Sequence, residues 1–90
     1  MKKTIITVVG KDSIGIIAKV CTYLADKNVN ILDISQTIVQ GFFNMMMITD
    51  MTECSVGFEE VSNQLEELGK ELGVTIKAQR EEIFEKMHRL

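Results

Sequence analysis

The chain has 90 residues, of which 46% are hydrophobic and 26% charged, and its formal net charge is -3. This length and composition indicate one globular domain with a single hydrophobic core. The negative charge and the lack of any lysine or arginine cluster argue against nucleic acid or a membrane as a partner. No apolar run approaches the roughly 20 residues of a membrane span, so we expect a cytoplasmic protein.

The first predicted elements are a strand and a helix joined by a short elbow. Residues 3–9 are mostly β-branched and apolar on both pleat faces, which favours a central strand. From residue 14 onward, apolar residues share one arc at helical spacing, namely Ile14, Ile17, Ala18, Cys21, Leu24 and Ala25. The pattern predicts an amphipathic helix that ends near Asn28, because asparagine tolerates a left-handed conformation.

Two strands follow this helix. In "ILDISQTIVQ" the apolar Leu32, Ile34 and Ile38 alternate with polar residues, which predicts a half-buried strand. Gln40 and Gly41 predict a tight turn, after which "FFNMMMITDM" returns as a third strand. Its three methionines, residues 45–47, fall on both faces, so we interpret them as packing residues rather than metal ligands.

A second helix and a fourth strand complete the pattern. Ser55 is the predicted N-cap, and Phe58, Val61, Leu65, Leu68 and Leu72 make one apolar stripe. Gly73 ends the helix, and "VTIKAQ" alternates as a strand. The tail "REEIFEKMHRL" has apolar residues at helical spacing and predicts a short helix over about residues 80–89. So short a helix must pack on the sheet or across a homodimer.

This βαββαβ order predicts an α+β fold, the ferredoxin-like sandwich, in which two helices cover one face of a four-stranded antiparallel sheet. We expect residues 1–90 to form this single domain, with no attached enzyme or DNA-binding domain. Thr7, Ser35, Thr37 and Lys77 are expected on the other face of the sheet.

The sequence lacks the residues that catalysis or metal binding requires in proteins of this architecture. The first strand–helix loop has neither the arginine of an acylphosphatase nor the CxxC of a metal chaperone. His88 lies in the tail, far in sequence from any serine or cysteine, and Cys21 and Cys54 are interpreted as reduced packing residues. We therefore expect no enzyme activity, no metal and no cofactor.

The elbow is the candidate binding site. Backbone N–H groups at the start of a helix can receive a carboxylate. Gly10 and Gly15 would let a ligand approach the backbone, and Asp12 can accept hydrogen bonds from an ammonium group. An α-amino acid offers both groups.

The stretch "VVGKDSIGIIAKVCTYLADKNVNILDISQT" resembles the opening of an ACT domain, a small-molecule regulatory module, through its D-x-x-G-I elbow and the asparagine that opens its second strand. "NILDISQT" and "QREEIFEKMHRL" are similar to single-domain ACT proteins of bacteria and archaea. That group is akin to the amino-terminal ACT domain of the glycine cleavage system transcriptional repressor.

The resemblance implies an amino-acid site at a dimer interface, between the elbow of one subunit and the second strand of the other. Asp12 and Asn30 would contribute side chains, Gly15 is the glycine of the elbow pattern, and the backbone of Ser13, Ile14 and Ile16 would bind the carboxylate. The chain departs from many members at residue 14, where they have proline, and Gly10 replaces the histidine of serine-binding members.

Structural interpretations of the same residues stay open. Asp12 can be the helix N-cap, Gly15 a close-packing residue and Asn30 a turn former. The sequence thus predicts a non-catalytic regulatory homodimer that binds an amino acid or similar metabolite. The alternative is a protein-interaction adaptor or regulatory subunit with the same fold and no ligand.

Overall fold

The computed structural model describes residues 2–11 and 14–82. Its elements are, in chain order, β1 (Lys3–Lys11), α1 (Ile16–Asp26), β2 (Asn30–Val39), β3 (Phe42–Asp50), α2 (Phe58–Leu72) and β4 (Val74–Arg80). The strands form one antiparallel sheet in the order β2-β3-β1-β4. The predicted ferredoxin-like architecture and the central position of the first strand are therefore confirmed.

The predicted terminal helix falls mainly outside the described residues. Arg80, its expected first residue, is the last residue of β4. Glu81 and Glu82 adopt helical conformation, and residues 83–90, which include His88, lie beyond the described part of the chain.

One face of the sheet, here called the helix face, packs against α1 and α2. In β1 it presents Ile6 and Val8, which pair with Met47 and Met45 of β3. All four side chains are buried and belong to one hydrophobic cluster with residues of both helices. The opposite side is here called the open face. By register it contains the four polar residues expected there, Thr7, Ser35, Thr37 and Lys77.

Helix α1 begins two residues later than its apolar arc suggested. Gly15 is the N-cap, and the buried side chains are those of Ile16, Val20 and Leu24. Ala18 and Ala25, which the predicted arc included, are exposed. The buried residues of α1 are thus spaced four apart, beginning at Ile16. The left-handed conformation expected of Asn28 is confirmed, with φ 61°.

Helix α2 has the predicted apolar stripe but a different N-cap. The cap is Gly57 rather than Ser55. The amide of Ser55 instead donates to the carbonyl of Lys27 at 2.9 Å, which ties the loop before α2 to the end of α1. A second tie joins the helices directly, since the Tyr23 hydroxyl donates to Oε1 of Gln64 at 2.5 Å.

Strand β2 lies at the edge of the sheet and is much more exposed than its alternation predicted. A bulge between Ile31 and Asp33 shifts the register, after which Ile34 and Ile38 pair with helix-face residues of β3. Both side chains are nevertheless exposed, Ile38 to 57%. The prediction of a half-buried strand is wrong because, within one chain, the helices leave this edge uncovered. The predicted turn after β2 is present at Gln40 and Gly41, both with positive φ.

Gly69 allows α2 to pack closely on β4. It is buried within α2, and a Cβ there would lie 2.7 Å from the carbonyl oxygen of Val74 and 3.2 Å from the amide nitrogen of Ile76. Both contacts are with backbone atoms, which cannot move aside as a flexible side chain can. The glycine therefore sets how near the helix approaches the strand.

We predict that Gly69→Ala lowers the free energy of unfolding by about 1–3 kcal/mol, as overpacking does elsewhere, although alanine favours helix more than glycine. Urea unfolding followed by circular dichroism measures the change. Gly57→Ala is the matched control, since a Cβ at that position meets no atom within 4 Å, and the poorer N-capping of alanine should cost less than about 1 kcal/mol. A Gly69→Ala protein as stable as the parent would contradict this account of the packing.

Candidate functional site

At the elbow between β1 and α1, no side chain of the described residues caps the start of the helix. Gly15 occupies the N-cap position with φ 87° and ψ 1°, and it has no side chain that accepts hydrogen bonds from the first helical amides. Helix N-termini carry a partial positive charge, because their first N–H groups lack partners within the helix. The elbow therefore offers backbone donors suited to a carboxylate.

Gly15 is required here by its backbone conformation. A left-handed conformation costs a residue with a Cβ roughly 1–2 kcal/mol. A Cβ on Gly15 would meet no atom within 4 Å, so close helix–sheet packing does not explain this glycine. Because Gly15 is the N-cap, the interpretation of Asp12 as the helix N-cap is wrong.

The other predicted elbow residues differ in what they can contribute. The side chain of Ile14 is fully exposed, whereas that of Ile16 is buried in the core. Ile16 can thus offer a ligand its backbone but not its side chain, which agrees with the expected backbone contact to a carboxylate. Asp12 and Ser13 lie outside the described residues, and their roles in binding stay predictions.

Gly10 has a packing reason of its own. A Cβ at this position would lie 2.7 Å from Cγ1 and 2.9 Å from Cα of Val74, its partner on β4. The glycine lets these two strands cross without a clash. Its predicted approach to a ligand remains a prediction.

Asn30 lies far from the elbow of its own chain. It is the first residue of β2, so it is a strand residue rather than a turn former. Asn30 pairs with Asp50, which also pairs with Lys3 at the start of β1. The elbow follows the other end of β1. The nine residue steps of β2 correspond to about 30 Å at roughly 3.3 Å per residue, so one chain does not bring Asn30 to the elbow.

Sequence reasoning missed a cleft at the Lys3 end of the sheet. It has a volume of about 490 Å³ and is lined by residues that include Lys2, Thr52, Phe58 and Arg80. The guanidinium of Arg80 stacks over the Phe58 ring, 4.6 Å from its centroid. The two residues are far apart in sequence, and no local motif signalled their contact. This cleft and the elbow lie at opposite ends of β1.

Neither helix in residues 2–11 and 14–82 has the length and apolar composition that crossing a membrane requires. Within the same residues, histidine, cysteine, aspartate and glutamate side chains form no group of three that could hold a metal ion.

Comparison with known proteins identifies the family. The family model for the ACT domain matches residues 2–79. The chain belongs to the ACT domain family. ACT domains commonly serve as regulatory ligand-binding modules rather than as catalysts. The resemblance seen in the elbow sequence is thus confirmed over nearly the whole chain.

Relatives of this ACT domain include proteins of the same size. The UPF0237 protein of Bifidobacterium longum is 60% identical over 90 residues, and the alignment covers both chains completely. An ACT domain protein from Streptococcus pneumoniae is 43% identical with a TM-score of 0.82, over 93% of this chain and 94% of that one.

The expected likeness to the repressor of the glycine cleavage system is seen in the fold. A protein provisionally described as a glycine cleavage system transcriptional repressor is similar with a TM-score of 0.74 at 24% identity. The match covers 88% of this ACT domain and 45% of that chain. At this identity the likeness concerns the fold alone.

Asp50, the cross-strand partner of Asn30, has an organised carboxylate. The Thr52 hydroxyl donates to its Oδ1 at 2.6 Å, and the amides of Thr52 and Lys2 donate to the same oxygen at 3.0 and 3.3 Å. These hydrogen bonds hold the pKa of Asp50 below its ordinary value, and the bond from the Thr52 side chain has the largest effect. A fixed negative charge therefore lies beside the candidate amide.

We predict that Thr52→Val raises the pKa of Asp50 towards its ordinary value, because the hydroxyl donor is lost while the backbone donors remain. A carbon-detected NMR titration of the Asp50 carboxyl measures this, with Thr22→Val at an exposed position of α1 as the control. Since the folded pKa is below the unfolded one, the contribution of Asp50 to stability is present above the unfolded pKa and is lost as pH falls through the folded pKa. An unchanged pKa in Thr52→Val would refute the assignment.

Proposed function

We propose that this ACT domain is a non-catalytic regulatory module of the cytoplasm that forms a homodimer and binds an amino acid or a similar small zwitterion. The observation that carries the proposal is the start of α1 at Gly15, which no side chain in the described part of the chain caps. Backbone amides and the positive end of the helix favour a carboxylate at that point. The regulatory rather than catalytic role is supported by the use of this family as a regulatory module.

The remaining ligand contacts are assigned from the predicted positions. The carboxylate of Asp12 would accept hydrogen bonds from the ammonium group, and the backbone of Ser13, Ile14 and Ile16 would surround the carboxylate. The exposure of Ile14 is compatible with contact to the apolar part of a bound metabolite. An α-amino acid suits such a set, because it carries both charged groups on one carbon.

A second copy of the chain is the proposed source of the asparagine. Asn30 and the elbow lie at opposite ends of the sheet. A two-fold axis that runs two β2 strands antiparallel brings the Asn30 end of one copy to the elbow end of the other. Such an isologous pair would make two equivalent sites, each with residues of both copies.

The exposed apolar residues support association through β2. Of the exposed large hydrophobic side chains in the described residues, four lie on β2 and two on its neighbour β3: Leu32, Ile34, Ile38, Val39, Phe42 and Met46. The other edge strand, β4, instead buries Val74 and Ile76. An unpaired edge strand with apolar side chains is a ready surface for another strand. The β2 edge is thus the proposed dimer interface.

The cytoplasmic assignment is supported by the two cysteines. Cys21 and Cys54 are both free thiols that pack against the core cluster. Free, partly buried thiols are typical of proteins in reducing compartments.

We predict a dimer at micromolar concentration that Ile38→Lys weakens at least about tenfold, because an introduced charge would be buried at the β2 edge. Sedimentation velocity over a concentration series measures the dissociation constant. Thr75→Lys places the same charge at an exposed position of β4 and should leave association unchanged. A parent protein that remains a monomer in this range would rule out the β2 dimer.

We further predict that calorimetric titration with the twenty amino acids gives binding heat for at least one of them. Asp12→Ala and Asn30→Ala should each weaken that binding about 10- to 100-fold, the usual cost of a hydrogen bond to a charged group. Asp26→Ala and Asn63→Ala, exposed positions on α1 and α2, are the matched controls.

The outcomes of this titration separate the alternatives. Binding that survives both Asp12→Ala and Asn30→Ala would overturn the site while keeping the function. The absence of heat with every amino acid would instead favour the second candidate function, a protein-interaction adaptor. The exposed β2 edge supports that candidate as well, because a strand of a partner protein can pair there.

A further inference from the structure

The cleft at the Lys3 end of the sheet has a largely apolar floor. Met51 is buried there, and Val56 and Phe58 are half-buried. Thr4, which is 2% exposed, also lines the cleft. Its hydroxyl donates to the thioether of Met51 at 3.2 Å, and its oxygen can still accept a hydrogen bond. The volume of about 490 Å³ is in the range of small-molecule sites.

Arg80 presents a guanidinium at the rim of this cleft. It is the last residue of β4, and by register it lies opposite Thr4 on the helix face. The guanidinium stacks on the Phe58 ring through its flat face, so its N–H donors point outward in the plane of the group. Among the described residues, no carboxylate forms an ion pair with Arg80. The ring therefore holds the group in place while its donors stay available to an anion.

The charges that line the cleft favour an anion with a single charge. The cations are those of Lys2, Lys3 and Arg80, and the carboxylates are those of Glu81 and Glu82. Three positive charges thus exceed two negative charges by one. Nζ of Lys3 and Oε2 of Glu81 already form an ion pair at 3.7 Å. A doubly charged phosphate would exceed the available positive charge, whereas one carboxylate matches it.

We propose that this cleft is a second small-molecule site, which binds a monocarboxylate with an apolar body. Arg80 would hold the carboxylate with two parallel hydrogen bonds. The apolar body would lie on Met51 and Val56, where its burial provides affinity. A hydroxyl group on that body would donate to the oxygen of Thr4. The site lies at the other end of β1 from the elbow, so it does not depend on the proposed function.

The test is an NMR titration of the full-length, isotope-labelled protein with small probes at neutral pH. Phenylacetate and hexanoate each combine a carboxylate with an apolar body, one a ring and the other a chain. Acetate lacks the body, 2-phenylethylamine reverses the charge, and phenyl phosphate carries a second negative charge.

We expect saturable shifts of the Gly57 and Phe58 amides with phenylacetate or hexanoate, at a dissociation constant of about 1 mM. The three other probes should bind at least about tenfold more weakly. Absence of saturable shifts in the cleft with both carboxylates would overturn the proposal. Equal binding of phenylacetate and 2-phenylethylamine would overturn it as well.

Variants of Arg80 identify the group that holds the carboxylate. Arg80→Gln should weaken binding at least about tenfold, and Arg80→Lys by a smaller factor, because lysine keeps the charge but not the paired donors. Lys77→Gln is the matched control, since it removes the same charge from an exposed residue of β4 on the open face. Equal weakening by Arg80→Gln and Lys77→Gln would indicate a general effect of charge and contradict the site.

The same spectra separate this site from the elbow. Shifts confined to the amides of Gly15 and Ile16 would overturn the cleft site and favour binding at the elbow. Shifts of Gly57 and Phe58 that Asp12→Ala leaves unchanged would support the cleft site, whether or not the elbow binds an amino acid.

Discussion

Everything in this domain depends on the burial of one face of the sheet by two helices. Ile6 and Val8 of the central strand, with Met45 and Met47 beside them, are almost completely removed from water. Each such side chain contributes about 1.5–3 kcal/mol relative to exposure. A domain of this size has a net stability of only about 5–15 kcal/mol, so these contacts decide whether it folds. The helix face of the sheet is therefore buried, whereas the helices do not cover the open face.

The candidate site follows from the way this core connects β1 to α1. Val8 near the end of the strand and Ile16 at the start of the helix are both buried in the cluster. Gly15, in its left-handed conformation, is the last residue of this connection before the helix begins. The first amides of α1 are then held in place by the core rather than by a ligand. A site of this kind needs little reorganisation on binding, which reduces the cost of association.

The same packing leaves β2 as the described element with the most exposed large hydrophobic side chains. Its helix-face residues Ile34 and Ile38 lie beyond the cover of the helices, and its outer edge lacks a strand partner within the described part of the chain. Under the proposed function, association through β2 and ligand binding at the elbow are thermodynamically linked. A ligand held by residues of two copies stabilises the pair as its concentration rises. Such a link is a simple way for a metabolite level to control a small regulatory module.

The sequence by itself determined the order and type of the elements, because each carries its own period. The stripe of Val61 and Leu65 marks α2, and the β-branched run of β1 marks a central strand. It also located the elbow, since the glycine at residue 15 and the pattern around it are local. The positions of caps were less predictable: Gly15 and Gly57 took the places expected of Asp12 and Ser55, because tertiary packing sets where each helix begins.

Only the tertiary structure decided which apolar residues stay in contact with water. The alternation in β2 looks like that of any half-buried strand, and its exposure follows from its place at the edge of the sheet. Likewise, the separation of Asn30 from the elbow depends on strand order and register. These are relations between distant segments, and no local pattern in the chain encodes them.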